Sequence, residues 1–225
     1  MTARAQEVTL LLGGTLCDAA LWSGVSLPEN AAVLPMVRGS SWPDAAARAL
    51  EMLGPQPRFH LLGFSMGAIL AFEVLRHSPE RVSRLTLLGA NPHAPTPTQL
   101  EAWAEQERRV RAGEFEAVAR AQSQFAGPHQ EEVLAMALRV GPEIFLDQLA
   151  LLRSRPDSRS TLVSYRGLLR VLVGERDPLT PPHLAVEMAA LRSGAELSIL
   201  PGVGHYLPLE APDAVSRALR EVAHA

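Results

Sequence analysis

The sequence predicts an α/β protein whose parallel sheet is covered by helices on both faces. Short apolar runs alternate with helix-like segments along most of the 225 residues, and strands buried on both faces have continuous apolar runs of this kind. In addition, residues able to carry chemistry follow the ends of several of these runs, which is where open α/β sheets hold their sites.

The first half of the chain contains four strand-like runs and two helix-like segments. A helix is predicted over Pro43–Leu53, because Ser41 is a suitable N-cap and Gly54-Pro55 stops the apolar periodicity. A second helix is predicted over Ala68–His77, ahead of Ser78-Pro79. The predicted strands are Val8–Leu12, Ala31–Pro35, Phe59–Leu62 and Leu85–Leu88.

The second half begins with a region that has only helical patterning, over residues 92–165. Gly113, Gly127-Pro128 and Gly141-Pro142 divide this region. The predicted helices are Gln99–Arg111, Glu114–Phe125, Gln130–Arg139 and Glu143–Arg153. Alternation then resumes with strands at Gly167–Val173 and Leu197–Leu200, a helix over Pro182–Leu191, and a last helix that opens at Ala211-Pro212-Asp213.

The most informative motif is Gly63-Phe64-Ser65-Met66-Gly67, a G-x-S-x-G sequence between a strand and a helix. A sharp strand-to-helix turn projects the serine hydroxyl out of the sheet. Side chains two residues before and after the serine would crowd such a turn, and glycine at both positions removes the clash. The alternative is a chance pentapeptide in a loop, but the strand and helix around it favour the functional interpretation.

An acid and a histidine follow the last two predicted strands, in the order that this motif requires. The strand at Gly167–Val173 leads into G-E-R-D-P-L-T-P-P, which contains Glu175 and Asp177. The strand at Leu197–Leu200 leads into Pro201 and then G-V-G-H-Y, which contains His205.

In combination with G-F-S-M-G, these motifs resemble the α/β-hydrolase family, and the resemblance runs from Val8 to the last helix. It implies a mostly parallel sheet of about six strands, without the antiparallel hairpin with which most relatives begin. It also implies that residues 1–91 and 166–225 form the core, and that residues 92–165 are a helical cap over the active site.

The resemblance implies a role for each matching residue. Ser65 would be the nucleophile, His205 the general base and then the general acid, and Asp177 the group that orients the imidazole. Glu175 is a rival for the acid role, although the family pattern G-x-x-D favours Asp177. Some relatives carry the acid after the strand that follows the serine, but here that strand ends in Gly89-Ala90-Asn91.

The resemblance also implies an oxyanion hole made of two backbone N–H groups. One belongs to Met66, and the other to Thr15, with Leu16 as the alternative donor. Many relatives have H-G-x where this chain has Gly13-Gly14-Thr15, so the histidine that often braces the loop is missing. Gly13-Gly14 could also be a plain strand-ending turn.

Several bulky residues are candidates for substrate binding. Trp22 follows the oxyanion loop, and Trp103, Phe125 and Phe145 lie in the predicted cap. The alternative for each cap residue is that it only packs the cap onto the core.

Other polar residues receive ordinary interpretations. Arg153, Arg155 and Asp157 are expected to form a solvated charged run, with a carboxylate-binding arginine as the alternative. His60 is interpreted as a packed core or strand-end histidine. No histidine shows metal-ligand spacing, and the sequence implies neither a metal nor a cofactor.

Composition favours a compact enzyme, with 47% hydrophobic and 20% charged residues. The net charge of −3 gives no reason to expect nucleic acid or an anionic membrane as a partner. The chain contains no lysine, which excludes a Schiff-base or P-loop lysine. A single cysteine, Cys17, and a polar start without a signal-like or membrane-spanning run predict a cytoplasmic protein. The oligomeric state is not predicted.

These observations predict a serine hydrolase that acts on a small-molecule acyl substrate, by default a small ester, with a lactone or thioester as further options. Hydrolysis of a carbon–carbon bond, a cofactor-free lyase and an acyltransferase are alternatives, because the family runs them on similar triads. The remaining alternative is a hydrolase-like binding protein with slow turnover.

Overall fold

The computed structural model of the protein describes residues 7–220. Within them, six parallel strands form one sheet in the order β2-β1-β3-β4-β5-β6. The strands are β1 (Val8–Leu12), β2 (Ala31–Leu34), β3 (Phe59–Phe64), β4 (Val82–Leu88), β5 (Leu168–Gly174) and β6 (Glu196–Leu200). The predicted fold class and strand number are confirmed, and no antiparallel hairpin precedes β1 among the described residues.

The helices lie where the sequence pattern predicts them, with three additions. They are α1 (Trp42–Leu53), α2 (Met66–His77), α3 (Pro97–Arg111), α4 (Phe115–Ser123), α5 (Gln130–Arg153), α6 (Arg159–Ser164), α7 (Pro182–Ala190), α8 (Leu207–Glu210) and α9 (Pro212–Leu219). The sequence pattern did not predict α6, α8 or the 3-10 turn at Ala19–Trp22, which are too short to show a period. A second 3-10 turn, Gln124–His129, continues α4 to the predicted break at Gly127-Pro128.

Local residues explain where α1 begins and where α5 is interrupted. The Ser41 hydroxyl accepts a hydrogen bond from the Asp44 N–H at 3.2 Å, so the predicted N-cap of α1 is confirmed. The backbone of α5 breaks at Gly141, whose φ of 82° lies outside the helical range. The two helices predicted on either side of Gly141-Pro142 are therefore present, in continuous succession.

The sheet separates two apolar clusters because side chains of a strand alternate between its faces. On β1, Leu10 and Leu12 project to one face, where they pack with residues of α1, α2 and α7. Leu11 projects to the other face, against Trp22 and residues of α8 and α9. This arrangement buries both faces of the sheet, as expected for parallel strands.

The helices between β4 and β5 contribute residues to two apolar clusters. Residues of α3, α4 and α5 form a third apolar cluster together with Leu16, which follows β1. Leu151 and Leu152 near the end of α5, and Leu162 of α6, instead join the cluster that contains α1 and α2. The division into a core and a cap with limits at 92 and 165 stays a prediction. Among residues 7–220, no helix combines the length and the apolar character that a membrane crossing requires.

His60 of β3 is buried at the centre of the sheet, as its interpretation as a core histidine predicts. Its Nε2 lies 2.8 Å from the Thr86 hydroxyl on β4, and its Nδ1 has no hydrogen-bond partner among the described residues. Burial, followed by the positive charges of Arg84 and Arg170, lowers the pKa of His60 to about 3. The native protein therefore holds this imidazole neutral.

We predict that His60 makes the protein sensitive to mild acid. In the unfolded chain its imidazole takes up a proton below about pH 6.5, whereas the native state resists protonation down to about pH 3. Stability is therefore lost as the pH falls between these values, by up to about 1.4 kcal/mol per pH unit from this group. In His60→Gln, whose amide does not titrate, urea unfolding between about pH 7 and pH 4.5 should show a flatter pH dependence.

The matched control for this experiment is His183→Gln, because His183 is an exposed histidine on α7. Its pH dependence should follow that of the wild type. A His60→Gln protein that loses stability with acid as steeply as the wild type would contradict the assignment.

Candidate active site

Ser65 occupies the sharp turn between β3 and α2. Its φ of 52° and ψ of −114° lie in a region that non-glycine residues rarely adopt. A conformation of this kind costs about 1–3 kcal/mol and persists only where the surroundings impose it. The Ser65 N–H donates to the Leu88 carbonyl at the end of β4 at 2.9 Å, and the Ser65 carbonyl accepts from the Ala68 N–H at 3.0 Å.

Gly63 and Gly67 leave the turn no room for a side chain. A Cβ at Gly63 would lie 2.5 Å from the Gly67 carbonyl oxygen, and a Cβ at Gly67 would lie 2.1 Å from the Leu12 carbonyl oxygen at the end of β1. Both distances are far below van der Waals contact, and both partners are backbone atoms that cannot rotate away. These distances support the steric reason for glycine that the sequence suggested.

Three of the predicted site residues meet above the carboxyl ends of the strands. The His205 ring, in the loop after β6, places its Nε2 3.0 Å from the Ser65 hydroxyl and its Nδ1 2.8 Å from Asp177 Oδ2. Asp177 follows β5, so each of the three residues lies just after the end of a different strand. The His205 and Asp177 side chains are both buried.

Asp177 is held as a carboxylate by a dense set of donors. Its Oδ1 accepts from the N–H groups of Leu179 and Thr180 at 2.8 and 2.9 Å, and its Oδ2 accepts from the Thr180 hydroxyl at 2.7 Å. Burial by itself raises the pKa of Asp177, but the hydrogen bond and charge of His205 and the donors of Thr180 outweigh it. The pKa of Asp177 therefore lies below its ordinary value, and the group is ionised at neutral pH.

Glu175, the rival acid, points elsewhere. Its side chain is exposed, and its Oε2 accepts from the Gly202 N–H at 2.9 Å. Asp177 is the carboxylate that contacts His205. Glu175 instead joins the turn after β5 to the turn after β6.

The sequence reasoning missed Glu210, which shapes the loop that carries His205. The two oxygens of Glu210 accept from the N–H groups of Gly204 at 2.6 Å and Tyr206 at 2.9 Å, the two neighbours of His205. The carboxylate therefore holds both flanks of the histidine. Its sequence signal was an acid directly ahead of the Ala211-Pro212 helix start.

The two predicted oxyanion donors, Thr15 and Met66, both line the cavity beside Ser65. The Thr15 N–H makes no hydrogen bond to other residues in the described chain. Met66 is the first residue of α2, so its N–H has no hydrogen-bond acceptor within the helix. The alternative donor, Leu16, is already engaged, because its N–H donates to Gln148 Oε1 at 2.9 Å. This geometry favours Thr15 over Leu16.

Gln148 is a second residue that sequence reasoning missed. It is fully buried on α5, and its Nε2 donates to the Val37 carbonyl at 2.9 Å while its Oε1 holds Leu16. Its amide therefore ties the loop after β1 to the segment that follows β2. Gly13 has no side chain that could brace this loop, and the contact from α5 holds it.

A cavity of about 290 Å³ opens above Ser65 and His205. Of the aromatic candidates, Trp103 and Phe145 line it together with Phe125, on the 3-10 turn after α4. Trp22 does not line it, which corrects the expectation for that residue. The side chain of Asp18 caps the 3-10 turn at Ala19–Trp22, and this turn directs Trp22 into the apolar cluster beneath the sheet.

The described residues contain no group of three His, Cys, Asp or Glu side chains that could hold a metal ion. Cys17 is buried, and burial raises the pKa of its thiol to about 12, so it is a poor nucleophile. The cavity lining includes Ser65 and His205 but not Cys17.

Comparison with known proteins identifies the family. The family model described as "Alpha/beta hydrolase family" matches residues 19–218. The chain belongs to the alpha/beta hydrolase family. The match spans Ser65, Asp177 and His205, and it begins after the loop that carries Thr15.

A curated protein also resembles this chain in sequence. The chain is 26% identical over 246 aligned positions to the biotin biosynthesis bifunctional protein BioHC of Cellvibrio japonicus (strain Ueda107). That alignment covers 96% of this chain and 47% of the relative, so the chain spans about half the length of the curated relative it matches.

Two solved structures superimpose closely on this alpha/beta hydrolase. A thermophilic esterase from Thermogutta terrifontis, with malate bound, has a TM-score of 0.83 and 23% identity over 96% of this chain and 89% of that chain. A hydrolase from Pseudomonas aeruginosa PA01 has a TM-score of 0.81 and 22% identity over 96% of this chain and 90% of that chain. These likenesses support the fold.

Because a Cβ at Gly67 would collide with the backbone of β1, we predict that Gly67→Ala destabilises this alpha/beta hydrolase by about 3 kcal/mol or more. The matched control is Gly13→Ala, where a Cβ would meet Cys17 and Leu21 at 3.6 and 3.7 Å, which is ordinary contact. That variant should stay within about 1 kcal/mol of the wild type. Urea unfolding measures both, and equal losses would contradict the close approach of Gly67 to Leu12.

Proposed function

We propose that the protein is a serine hydrolase that cleaves a small carboxylic ester, with lactones and thioesters as related substrates, through an acyl-enzyme intermediate. The observation that carries this proposal is the unbroken chain of hydrogen bonds from Ser65 through His205 to Asp177, at 3.0 and 2.8 Å, at the wall of a cavity. The names of the structurally similar proteins, an esterase and a hydrolase, agree with it.

The first half of the reaction forms the acyl-enzyme. His205 Nε2 takes the proton of the Ser65 hydroxyl as its oxygen attacks the substrate carbonyl, because a neutral serine is a weak nucleophile without an adjacent base. Asp177 keeps the proton of the imidazole on Nδ1 and stabilises the positive charge that develops on the ring. The protonated imidazole then donates its proton to the leaving alcohol oxygen.

The developing oxyanion is bound by the N–H groups of Thr15 and Met66. Each fixed donor of this kind is worth about 2.7–4 kcal/mol in the transition state, because it needs no reorganisation when the charge forms. The start of α2 adds the positive end of its helix dipole. Water activated by His205 then attacks the acyl-enzyme, and the carboxylic acid leaves with Ser65 restored.

The same triad would serve a carbon–carbon hydrolase, a lyase or an acyltransferase, and a protein that binds its ligand with slow turnover would keep the same geometry. No contact in the described residues favours one of these over ester hydrolysis. The ester is therefore the proposed substrate class, and turnover on a small ester separates the enzyme from the binding protein.

We predict that a fluorophosphonate probe labels Ser65 and that Ser65→Ala lowers turnover of a small 4-nitrophenyl ester by at least about a thousandfold. Intact mass and peptide mapping locate the adduct. The matched control is Ser23→Ala, since Ser23 is an exposed serine outside the cavity. An adduct on Cys17, no adduct at all, or near-wild-type turnover by Ser65→Ala would refute the nucleophile.

We predict that removing the charge of Asp177 lowers kcat far more than removing the charge of Glu175. Asp177→Asn places an amide where a carboxylate now accepts from His205, so the imidazole loses its tautomer and its charge partner, and kcat should fall about ten-thousandfold. Glu175→Gln keeps an acceptor for Gly202 and should change kcat by less than about tenfold. Steady-state kinetics on the same ester measures both, and the reverse ranking would transfer the acid role to Glu175.

A further inference from the structure

Arg155 differs in its burial from the charged residues near it in the sequence. The sequence pattern predicted a solvated charged run, but the Arg155 residue is only 6% exposed and lines the cavity above Ser65. Its neighbour Arg153 is half-buried outside the cavity and pairs with Glu107. Arg159 is exposed and pairs with Asp157. Arg155 is thus the cation of this segment that faces the reaction space.

The guanidinium of Arg155 has no carboxylate partner within residues 7–220. Its Nε donates to the His93 carbonyl and one terminal nitrogen, Nη2, donates to Gln99 Oε1, both at 2.9 Å. Its charged plane lies over the Trp103 ring, 5.3 Å from the ring centroid. Nη1 makes no hydrogen bond to another described residue.

The cavity offers no compensating charge either. Among the described residues that line it there is no aspartate or glutamate. Burial lowers the pKa of Arg155 to about 10, which leaves the group charged at neutral pH. A buried charge without a partner is unfavourable, so an anion that enters the cavity would remove a cost that the free protein bears.

The contacts of Arg155 also fix the orientation of its guanidinium. Two neutral acceptors and an aromatic face hold the guanidinium in place without neutralising it, and they leave one edge for a ligand. A planar guanidinium matches a carboxylate through two parallel hydrogen bonds, and a guanidinium that is already held loses little freedom when it binds.

We propose that Arg155 binds a carboxylate of the substrate, so that the preferred substrates are esters that carry a free carboxylate away from the bond that is cleaved. Half-esters of dicarboxylic acids are the simplest members of this class. This inference rests on the proposed function, because it names the substrate class of the same cavity.

The test compares anionic esters with their neutral counterparts. For a carboxylate on the acyl side, the probes are the mono-4-nitrophenyl esters of adipate and suberate, each against the same ester with its free carboxylate methylated. For a carboxylate on the alcohol side, the probe is 4-acetoxybutanoate against its methyl ester. In at least one arm, the wild type should show a kcat/KM for the anionic ester about tenfold or more above that for the neutral one.

Variants separate ligand binding from a structural role of Arg155. Arg155→Gln should lose that preference, mainly through KM, while its kcat/KM on the neutral ester changes by less than about threefold. Arg155→Lys keeps the charge without the planar pair of donors and should retain part of the preference. The matched control is Arg153→Gln, which removes a charge two residues away, outside the cavity, and should keep the wild-type preference.

Two results would overturn the inference. One is a wild type without preference for the anionic ester in either arm, a measurement that requires no variant to fold. The other is an Arg155→Gln protein that loses activity on anionic and neutral esters by the same factor, which would assign Arg155 to holding the loop of His93 against α3.

A binding experiment keeps this inference separate from the proposed chemistry. Calorimetry on the Ser65→Ala protein should detect monomethyl adipate but only weakly detect dimethyl adipate, and the Ser65→Ala/Arg155→Gln protein should lose the difference. Arg155-dependent binding without turnover by the wild type would refute the proposed reaction and leave the anion site standing. Turnover by the wild type without Arg155-dependent binding would refute the anion site and leave the proposed reaction standing.

Discussion

The arrangement of the candidate site depends on one steric constraint, the contact between the turn at Ser65 and the end of β1. The space at Gly67 is filled by the Leu12 carbonyl, so the turn, α2 and the central strands fit together in a single way. That fit holds Ser65 at a positive φ, which directs its hydroxyl upward from the sheet. The strand β1 continues into the loop of Thr15, so the proposed nucleophile and the proposed oxyanion donor share one rigid support.

Two opposite buried charges, Asp177 behind His205 and Arg155 in the cavity wall, have different surroundings. Asp177 receives donors from Leu179, Thr180 and His205, so its negative charge is stabilised by the protein itself. Arg155 receives only neutral acceptors, so its positive charge is left without a counterpart in the described chain. The first charge serves the imidazole beside it, and the second is available to whatever enters the cavity. The two environments fit the two proposed roles, that of Asp177 in the chemistry and that of Arg155 in substrate recognition.

Local patterns in the sequence predicted the strands, the main helices and the Ser65, Asp177 and His205 positions, because each depends on residues close together in the chain. Features set by contacts across the chain were not predictable. Gln148 reaches Leu16 over 132 positions, and Arg155, in the segment after α5, contacts Trp103 and Gln99 of α3. Apolar character alone placed Trp22 equally well in a cavity or in a core, and only the packing of the folded chain decided between them.

The hydrogen bonds of Gln148 have a consequence for engineering by exchange of parts. Its helix, α5, lies between β4 and β5, yet its amide supports the loop after β1. A chimaera that imports the helices between β4 and β5 from a donor protein would remove that amide. Since position 13 is glycine, the recipient has no side chain there to take over. Grafts into this scaffold therefore need glutamine retained at 148.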